Sequence, residues 1–249
     1  MSKTLILQSH RTPMPHAWLS RCINTVEQWS DTNNFDYVFK DNEFLSIVPA
    51  DILDKTNKQV VIATDLARLL WIKYFLNNSY ERVVWLDADF LIFEPDKFLL
   101  PDKPYALGRE VWVQRNEQQL KVYKKVHNAF LMFNENNCFL DFYIETAKNL
   151  LWLNEGAMPP QFIGPKLLTA IHNIAQCPVL EFAGMLSPLV IKDLLQGKGK
   201  ALDLFLRKSK QEIYGVNLSS SLTQKESLNE IEMNKLIDLL LEGNILKMI

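Results

Sequence analysis

The sequence predicts an α/β fold with a mostly parallel central sheet and helices on both faces. Short apolar segments of strand length alternate with longer segments whose apolar residues recur at helical spacing. This alternation is typical of a parallel sheet, because two parallel strands must be joined by a crossover, which is usually a helix. With 249 residues, 48% of them hydrophobic, the chain is long enough for one complete core. We therefore expect residues 1–249 to form a single domain.

The first half of the chain shows the alternation most clearly. Residues 5–7 form a buried strand, and the apolar residues of 18–29 then fall on one face of a helix. Residues 37–39 form the next strand. A long helical pattern over about 56–76 leads into a further strand at 83–86.

The second half continues with shorter segments. Strands are predicted at 105–107, 129–133 and 179–182, and helices at 136–153, 165–175 and 228–241. Pro165 suits the first turn of its helix, because proline has no N–H to leave unsatisfied there.

The overall charge argues against nucleic acid as a partner. The net charge is -2 and the isoelectric point is near 6.1, with the lysines and arginines scattered among acids. Cys22, Cys138 and Cys177 are widely spaced, which favours free thiols in a reducing compartment such as the cytoplasm. No signal peptide or transmembrane segment is predicted, because the apolar runs are too short.

Asp87 and Asp89 stand between two apolar runs and are the strongest candidates for chemistry. In an extended segment alternate side chains point to the same side, so the two carboxylates converge on one point. Mg²⁺ and Mn²⁺ prefer such oxygen ligands and are often shared with substrate phosphates. An isolated Asp-x-Asp is more often part of a turn or a helix cap. Here, however, Asp65 and Arg68 lie three apart on the preceding helix, either as a clamp on a ligand or as a surface ion pair.

This order of residues resembles a known enzyme family. Asp65-x-x-Arg68, an apolar strand and then Asp87-x-Asp89 are similar to the retaining glycosyltransferases of GT-A type that contain the DXD sugar-binding region, glycosyltransferase family 32. The segment from Trp85 to Asp89 and the 19-position step from Arg68 to Asp87 look more like the glycogenin-like family 8, whose members are also retaining GT-A enzymes.

The resemblance implies transfer of a sugar, with retention of configuration, from a nucleotide-diphosphate sugar to a glycan, lipid-linked glycan or protein. A UDP-sugar is favoured over a GDP-sugar as donor, with Mn²⁺ or Mg²⁺ as cofactor, in polysaccharide biosynthesis. Asp87 and Asp89 are the implied metal ligands, and Asp65, Arg68 and Asp87 the implied catalytic residues. Peripheral contact with a membrane that carries a glycolipid acceptor stays open.

Weaker matches extend the implied donor site. Gln8, Ser9 and His10 resemble the segment that meets the nucleotide base, and Asn128 and Gly164 resemble substrate-contacting elements. Asn217 stands where these families often place a metal-binding histidine, and its amide oxygen offers a weaker ligand.

Several alternatives remain at this stage. Trp112, in the polar stretch 109–119, either packs in the core or forms a sugar-stacking platform or part of a mobile lid. His127 is more often a satisfied surface or half-buried side chain than a base. A haloacid-dehalogenase-type phosphatase also uses Asp-x-Asp after a strand, although Phe90 does not suit it. A catalytically weak carbohydrate- or nucleotide-binding protein of the same fold is the other alternative. A sugar nucleotidyltransferase is disfavoured, because no glycine-rich phosphate loop is present.

Overall fold

A computed structural model describes residues 3–56, 59–220, 228–243 and 246. The strands are β1 (Thr4–Ser9), β2 (Asp36–Lys40), β3 (Arg82–Leu86), β4 (Phe90–Ile92), β5 (Tyr105–Asn116), β6 (Gln119–Asn134), β7 (Val179–Leu180), β8 (Ala183–Met185) and β9 (Gly215–Asn217). The α-helices are α1 (Ala17–Thr32), α2 (Ala50–Lys55), α3 (Val60–Asn77), α4 (Cys138–Leu153), α5 (Pro165–Ala175), α6 (Pro188–Leu195), α7 (Lys200–Lys208) and α8 (Glu230–Glu242). A short 3₁₀ helix covers Phe44–Ile47.

The larger sheet has six strands in the order β2-β1-β3-β6-β5-β7. β1 lies parallel to both β2 and β3, and β7 lies parallel to β5. β6 runs antiparallel to its two neighbours, β3 and β5. A smaller sheet has the order β4-β9-β8. The predicted mixed α/β class with a mostly parallel central sheet is confirmed.

Both faces of the larger sheet are covered, as the alternation of apolar residues in its strands requires. On β3, Val83 and Trp85 pack on one face among residues of α3 and α4. Val84 and Leu86 pack on the other face, where α1 contributes Trp29. The prediction of helices on both faces is therefore confirmed.

The β5–β6 hairpin is the largest departure from the expected elements. Strands were predicted only at 105–107 and 129–133, whereas β5 and β6 continue to a turn at residues 117–118. The polar stretch 109–119 is therefore mostly strand, and the interpretation as a mobile lid loses its basis. The extension is stable because Val111 and Val113 alternate inward, onto a core cluster that they share with α6, α7 and α8.

Other differences concern boundaries. The helix predicted over 56–76 begins at Val60 as α3, and residues 57–58 lie outside the described part of the chain. The strand predicted at 179–182 ends earlier, at Leu180 as β7, and residues 181–182 form a turn before β8 begins at Ala183. The last predicted helix begins later, at Glu230, after a capping box formed by Asn229 and Glu232.

Candidate active site

The two acids follow the carboxyl end of β3. β3 ends at Leu86, and Asp87 to Phe90 form a turn in which the Phe90 N–H donates to the Asp87 carbonyl oxygen at 2.9 Å. The expectation that an extended strand aims both acids at one point is therefore wrong in its geometry. The turn nevertheless brings Asp87 and Asp89 to the same pocket.

Arg68 is the cation at the centre of this pocket. It is buried on α3, and its Nη1 donates to the Asn128 carbonyl oxygen at 2.7 Å. Its Nη2 lies 3.2 Å from Asp87 Oδ1 and 3.7 Å from Asp65 Oδ1. The guanidinium carbon lies 4.9 Å from the centre of the Trp85 ring, a favourable cation–π distance. The two α3 residues thus form a buried pair, and their interpretation as a surface ion pair is wrong.

Asp65 is a buried carboxylate whose charge is only partly compensated. Its Oδ1 accepts a hydrogen bond from Asn128 Nδ2 at 2.8 Å, while Oδ2 has no hydrogen-bond partner in the described part of the chain. Burial raises the pKa of Asp65 to about 6, although Arg68 and Asn128 act in the opposite direction. Gly164 closes over this carboxylate, and a Cβ at that position would lie 2.4 Å from Oδ2. Glycine is therefore the residue that fits.

A register shift in the hairpin presents Asn128 to the two α3 residues. Leu107 of β5 pairs with Leu131, but the next residue, Gly108, pairs with His127. Residues 128–130 therefore have no partner on β5, and the bulge turns Asn128 into the pocket. Bulges are frequent beside active sites because they re-aim a side chain in this way.

His127 holds the bulge in place. Its Nδ1 accepts the Ala129 N–H at 3.1 Å, so Nε2 carries the proton and donates to the Ala183 carbonyl oxygen at 3.0 Å. Burial lowers the pKa of His127 to about 4, which leaves the ring neutral at pH 7. The side chain is satisfied, as its sequence context favoured, but it is fully buried and not at the surface.

Asp89 is held from the opposite side by the end of β9 and the residues that follow it. β4 pairs with β9 so that Phe90 lies opposite Asn217. Asn217 Nδ2 donates to Asp89 Oδ1 at 2.6 Å, and the Ser220 N–H donates to Oδ2 at 2.7 Å. The Oδ1 atom of Asn217 accepts the Ser219 N–H at 2.8 Å. This last contact fixes the amide orientation, so Asn217 turns its nitrogen to the acids, and a direct metal contact would require the amide to rotate.

The donor set fits a hard divalent cation. Burial, followed by the nearby charge of Asp87, raises the pKa of Asp89. Within the described residues, only Oδ1 of the Asp87 carboxylate has side-chain partners. It accepts a hydrogen bond from the Trp85 indole at 2.6 Å and pairs with Arg68. Its second oxygen is left for another ligand. No group of three or more His, Cys, Asp or Glu side chains in the described part of the chain is arranged to hold a metal. A cation at this position would have Asp87 and Asp89 as its carboxylate ligands, and Mg²⁺-like ions are commonly held by one or two carboxylates together with substrate phosphates.

The pocket has a volume of about 330 Å³ and takes much of its wall from residues that the sequence did not single out. Glu110, Gln114 and Lys125 of the hairpin line it together with Trp112. Gln161, in a left-handed backbone conformation with φ of 62°, lines it near α5. The alternation of valines with these polar residues in β5 was the available signal for the hairpin positions.

The segment expected to meet the nucleotide base lies at the end of β1. Gln8 is fully buried and connects β2 to the turn of the acids, because its Oε1 accepts from the Tyr37 hydroxyl at 2.9 Å and its Nε2 donates to the Asp87 carbonyl oxygen at 3.0 Å. Ser9 and His10 are half-buried. Of these three residues only Gln8 contacts the turn of the acids, and none of them lines the pocket. Their role toward a base stays a prediction.

The fold of this chain is similar to that of solved glycosyltransferase structures. A glycosyltransferase involved in the glycosylation of the major capsid of PBCV-1 is similar over 95% of this chain and 99% of its own, with a TM-score of 0.51 and 13% identity. Mouse xyloside xylosyltransferase 1 gives a TM-score of 0.48 at 9% identity, over 88% of this chain and 99% of its own. The galactosyltransferase LgtC gives 0.44 at 12% identity, over 94% and 95%.

No protein-family model matches the sequence, and no curated protein is similar to it by sequence. The similarity to the solved structure of the PBCV-1 capsid glycosyltransferase nevertheless shows that the chain has a GT-A-type glycosyltransferase fold, as predicted. No helix in the part of the chain that the structure describes is long and apolar enough to cross a membrane.

Proposed function

We propose that this chain is a metal-dependent retaining glycosyltransferase that moves a sugar from a nucleotide-diphosphate sugar, preferably a UDP-sugar, to a carbohydrate or glycolipid acceptor. One observation carries the proposal. Asp87, Asp89 and Arg68 meet at the carboxyl end of β3 in an open pocket, with Asp65 and Asn128 behind them. Ligands of α/β sheets bind at this end of the strands.

Arg68 supplies a fixed positive charge to the reaction. As the bond from sugar to phosphate breaks, negative charge grows on the diphosphate while the sugar becomes oxocarbenium-like. The guanidinium is held by Asp65, by Asp87 and by the Asn128 carbonyl oxygen, so it needs no rearrangement to meet that charge. Its Nε is buried and makes no hydrogen bond in the described part of the chain, so the guanidinium acts on the substrate through its charge.

Asp87 and Asp89 would hold Mn²⁺ or Mg²⁺, which when bound acts as a Lewis acid on the leaving diphosphate. Asn217 and the Ser220 N–H orient Asp89 for this task. Asp65 orients the Asn128 amide, which lines the pocket, and helps to hold the Arg68 guanidinium. Retention follows either from attack on the same face as the leaving group or through a carboxylate nucleophile.

The experiment measures release of nucleoside diphosphate from a panel of UDP- and GDP-sugars with Mn²⁺, and again with a chelator. Asp89→Asn should lower the rate by at least about a hundredfold, because the variant removes a charge that the ion needs. Asp36→Asn is the matched control, since Asp36 lies outside the pocket, where it contacts the exposed Lys3 and the Tyr80 side chain. Metal-independent release, or full activity of Asp89→Asn, would overturn the proposal. The anomeric configuration of the product, read by NMR, tests retention.

A second candidate is a nucleotide-binding protein of the same fold that catalyses nothing. The orientation of Asn217 favours it, because the side chain turns its nitrogen to the acids and leaves only two carboxylates for a cation. Nucleotide binding without release of diphosphate from any donor would support this candidate. Release of inorganic phosphate from phosphate esters would instead indicate the phosphatase.

A further inference from the structure

One face of the β5–β6 hairpin forms a continuous wall of the pocket. Side chains on a strand alternate between its faces, so Glu110, Trp112 and Gln114 share one face of β5. The residues directly opposite on β6 are Lys125, Tyr123 and Lys121, in that order. We call these six residues the hairpin wall. Four of them, Glu110, Trp112, Gln114 and Lys125, line the pocket that contains Asp87 and Asp89.

The hairpin is anchored by its other face. Val111 and Val113 are buried, and Val122 packs against the same cluster, which contains α6 and α7. The hairpin wall is therefore presented to the pocket by a packed element. A wall on a packed strand keeps its side chains at fixed spacing, which a specific binding surface needs.

Trp112 is the distinctive residue of the hairpin wall. Aromatic residues that face each other across strands usually pack ring against ring. Trp112 lies directly opposite Tyr123, yet within the described residues its ring contacts no other ring and its indole N–H donates no hydrogen bond. Tyr123 instead lies 5.5 Å from Lys125 Nζ. A large, half-buried aromatic side chain in a polar pocket is thereby left for a ligand.

The sheet order indicates which substrate meets the hairpin wall. Asp87 and Asp89 follow β3, with the parallel strands β1 and β2 on one side and the hairpin on the other. The nucleoside of a donor is expected over the parallel strands, because ligands of such sheets bind at their carboxyl ends. The hairpin wall then lies on the far side of the diphosphate, where the sugar must be passed on.

We propose that the hairpin wall is the acceptor subsite and that the acceptor is a neutral saccharide. Trp112 stacks on the apolar face of a pyranose ring, and Glu110 and Gln114 bond to its hydroxyl groups. This inference rests on the proposed function and deepens it.

The chemistry of the hairpin wall favours this occupant over others. A carboxylate only accepts hydrogen bonds, so Glu110 suits the hydroxyl donors of a sugar. Within the pocket lining, the charge of Lys125 is matched by Glu110, whose Oε1 lies 3.6 Å from Nζ. Lys121, the other cation of the hairpin wall, does not line the pocket, so little attraction is left there for a phosphorylated acceptor. No aliphatic side chain belongs to the hairpin wall, which disfavours a lipid chain at this position.

The test titrates protein loaded with UDP and Mn²⁺ with methyl glycosides and neutral disaccharides of glucose, galactose and mannose. Saturation-transfer NMR and calorimetry measure saccharide binding. Trp112→Ala should weaken binding roughly tenfold, as loss of a stacked aromatic contact does, and Trp112→Phe should retain part of it. Trp152→Ala is the matched control, because Trp152 is half exposed at the end of α4 and lies outside the pocket. Circular dichroism verifies that each variant is folded.

Three results would overturn the inference. These are the absence of binding by every saccharide of the panel, equal binding by the Trp112→Ala and Trp152→Ala variants, and weaker binding of UDP alone to Trp112→Ala, which would place the ring at the donor. Failure of the proposed function has a different signature. In that case no sugar nucleotide releases its diphosphate, although saccharide binding still depends on Trp112.

Discussion

Replacing Asp65 with asparagine should make the protein more stable and less active. Asp65 is buried, one of its oxygens has no hydrogen-bond partner in the described part of the chain, and Gly164 closes over it. Asparagine has nearly the same shape and can keep the hydrogen bond from Asn128 through its amide oxygen. The substitution therefore removes a buried charge with little change in packing.

The magnitude follows from the pKa of Asp65, which burial raises from 3.8 to about 6. Between these two values the folded protein binds a proton that the unfolded chain has released. Stability is therefore lost as pH rises through this window, and the loss is complete above pH 6. A pKa shift of this size corresponds to about 3 kcal/mol in the free energy of unfolding. Asp65→Asn should recover about 2 to 3 kcal/mol at pH 8 and roughly half of that at pH 5.

Urea unfolding of metal-free, nucleotide-free protein at pH 5 and pH 8 measures this difference. Groups that titrate equally in both proteins, including His127, cancel when the variant is compared with the wild type at each pH. Asp36→Asn, at an exposed ion pair, should show almost no change at either pH. The reasoning is refuted if Asp65→Asn is less stable at pH 8, or if its effect is the same at both pH values. Sugar transfer by the variant should fall, because site residues commonly trade stability for activity.

Three further predictions address other parts of the site. The pKa of His127 is lowered to about 4 by burial, so stability should be lost as pH falls from 6.5 toward 4, by up to about 3 kcal/mol; unfolding of His127→Gln should show a flatter dependence in this window. Gly164→Ala should lower kcat/KM about a hundredfold, because the added Cβ displaces the buried Asp65 carboxylate. Gly243→Ala is the control and should leave kcat/KM unchanged, because a Cβ there meets nothing within 4 Å. Asn217→Asp should bind Mn²⁺ more tightly in calorimetry, because it adds a carboxylate to the site. Without metal the variant should melt at a lower temperature, since a hydrogen-bond donor to Asp89 becomes a repelling charge. An unchanged Mn²⁺ affinity would place Asn217 outside the metal site.

The sequence determined those features that depend on neighbours along the chain. The side chains of Val83 to Leu86 alternate between two cores because a strand has a period of two. Asp65 and Arg68 meet because three residues span almost one helical turn. The position of Asp87 directly after a buried strand was sufficient to locate the pocket, even though the segment forms a turn and not the expected extended chain.

The tertiary structure alone decided which distant residues complete the site. Asn217 reaches Asp89 because β9 pairs with β4, and Asn128 reaches Asp65 because the register of β5 and β6 shifts at Gly108. Strand pairing and register depend on contacts between segments far apart in the chain, which local periodicity does not encode. Of the hairpin wall, the sequence suggested only Trp112 as a sugar-stacking platform. The other five residues were missed for the same reason, since this face becomes meaningful only once the valines of the other face are packed against α6 and α7. The local pattern of side chains thus determined which residues carry the chemistry, and long-range packing decided what they face.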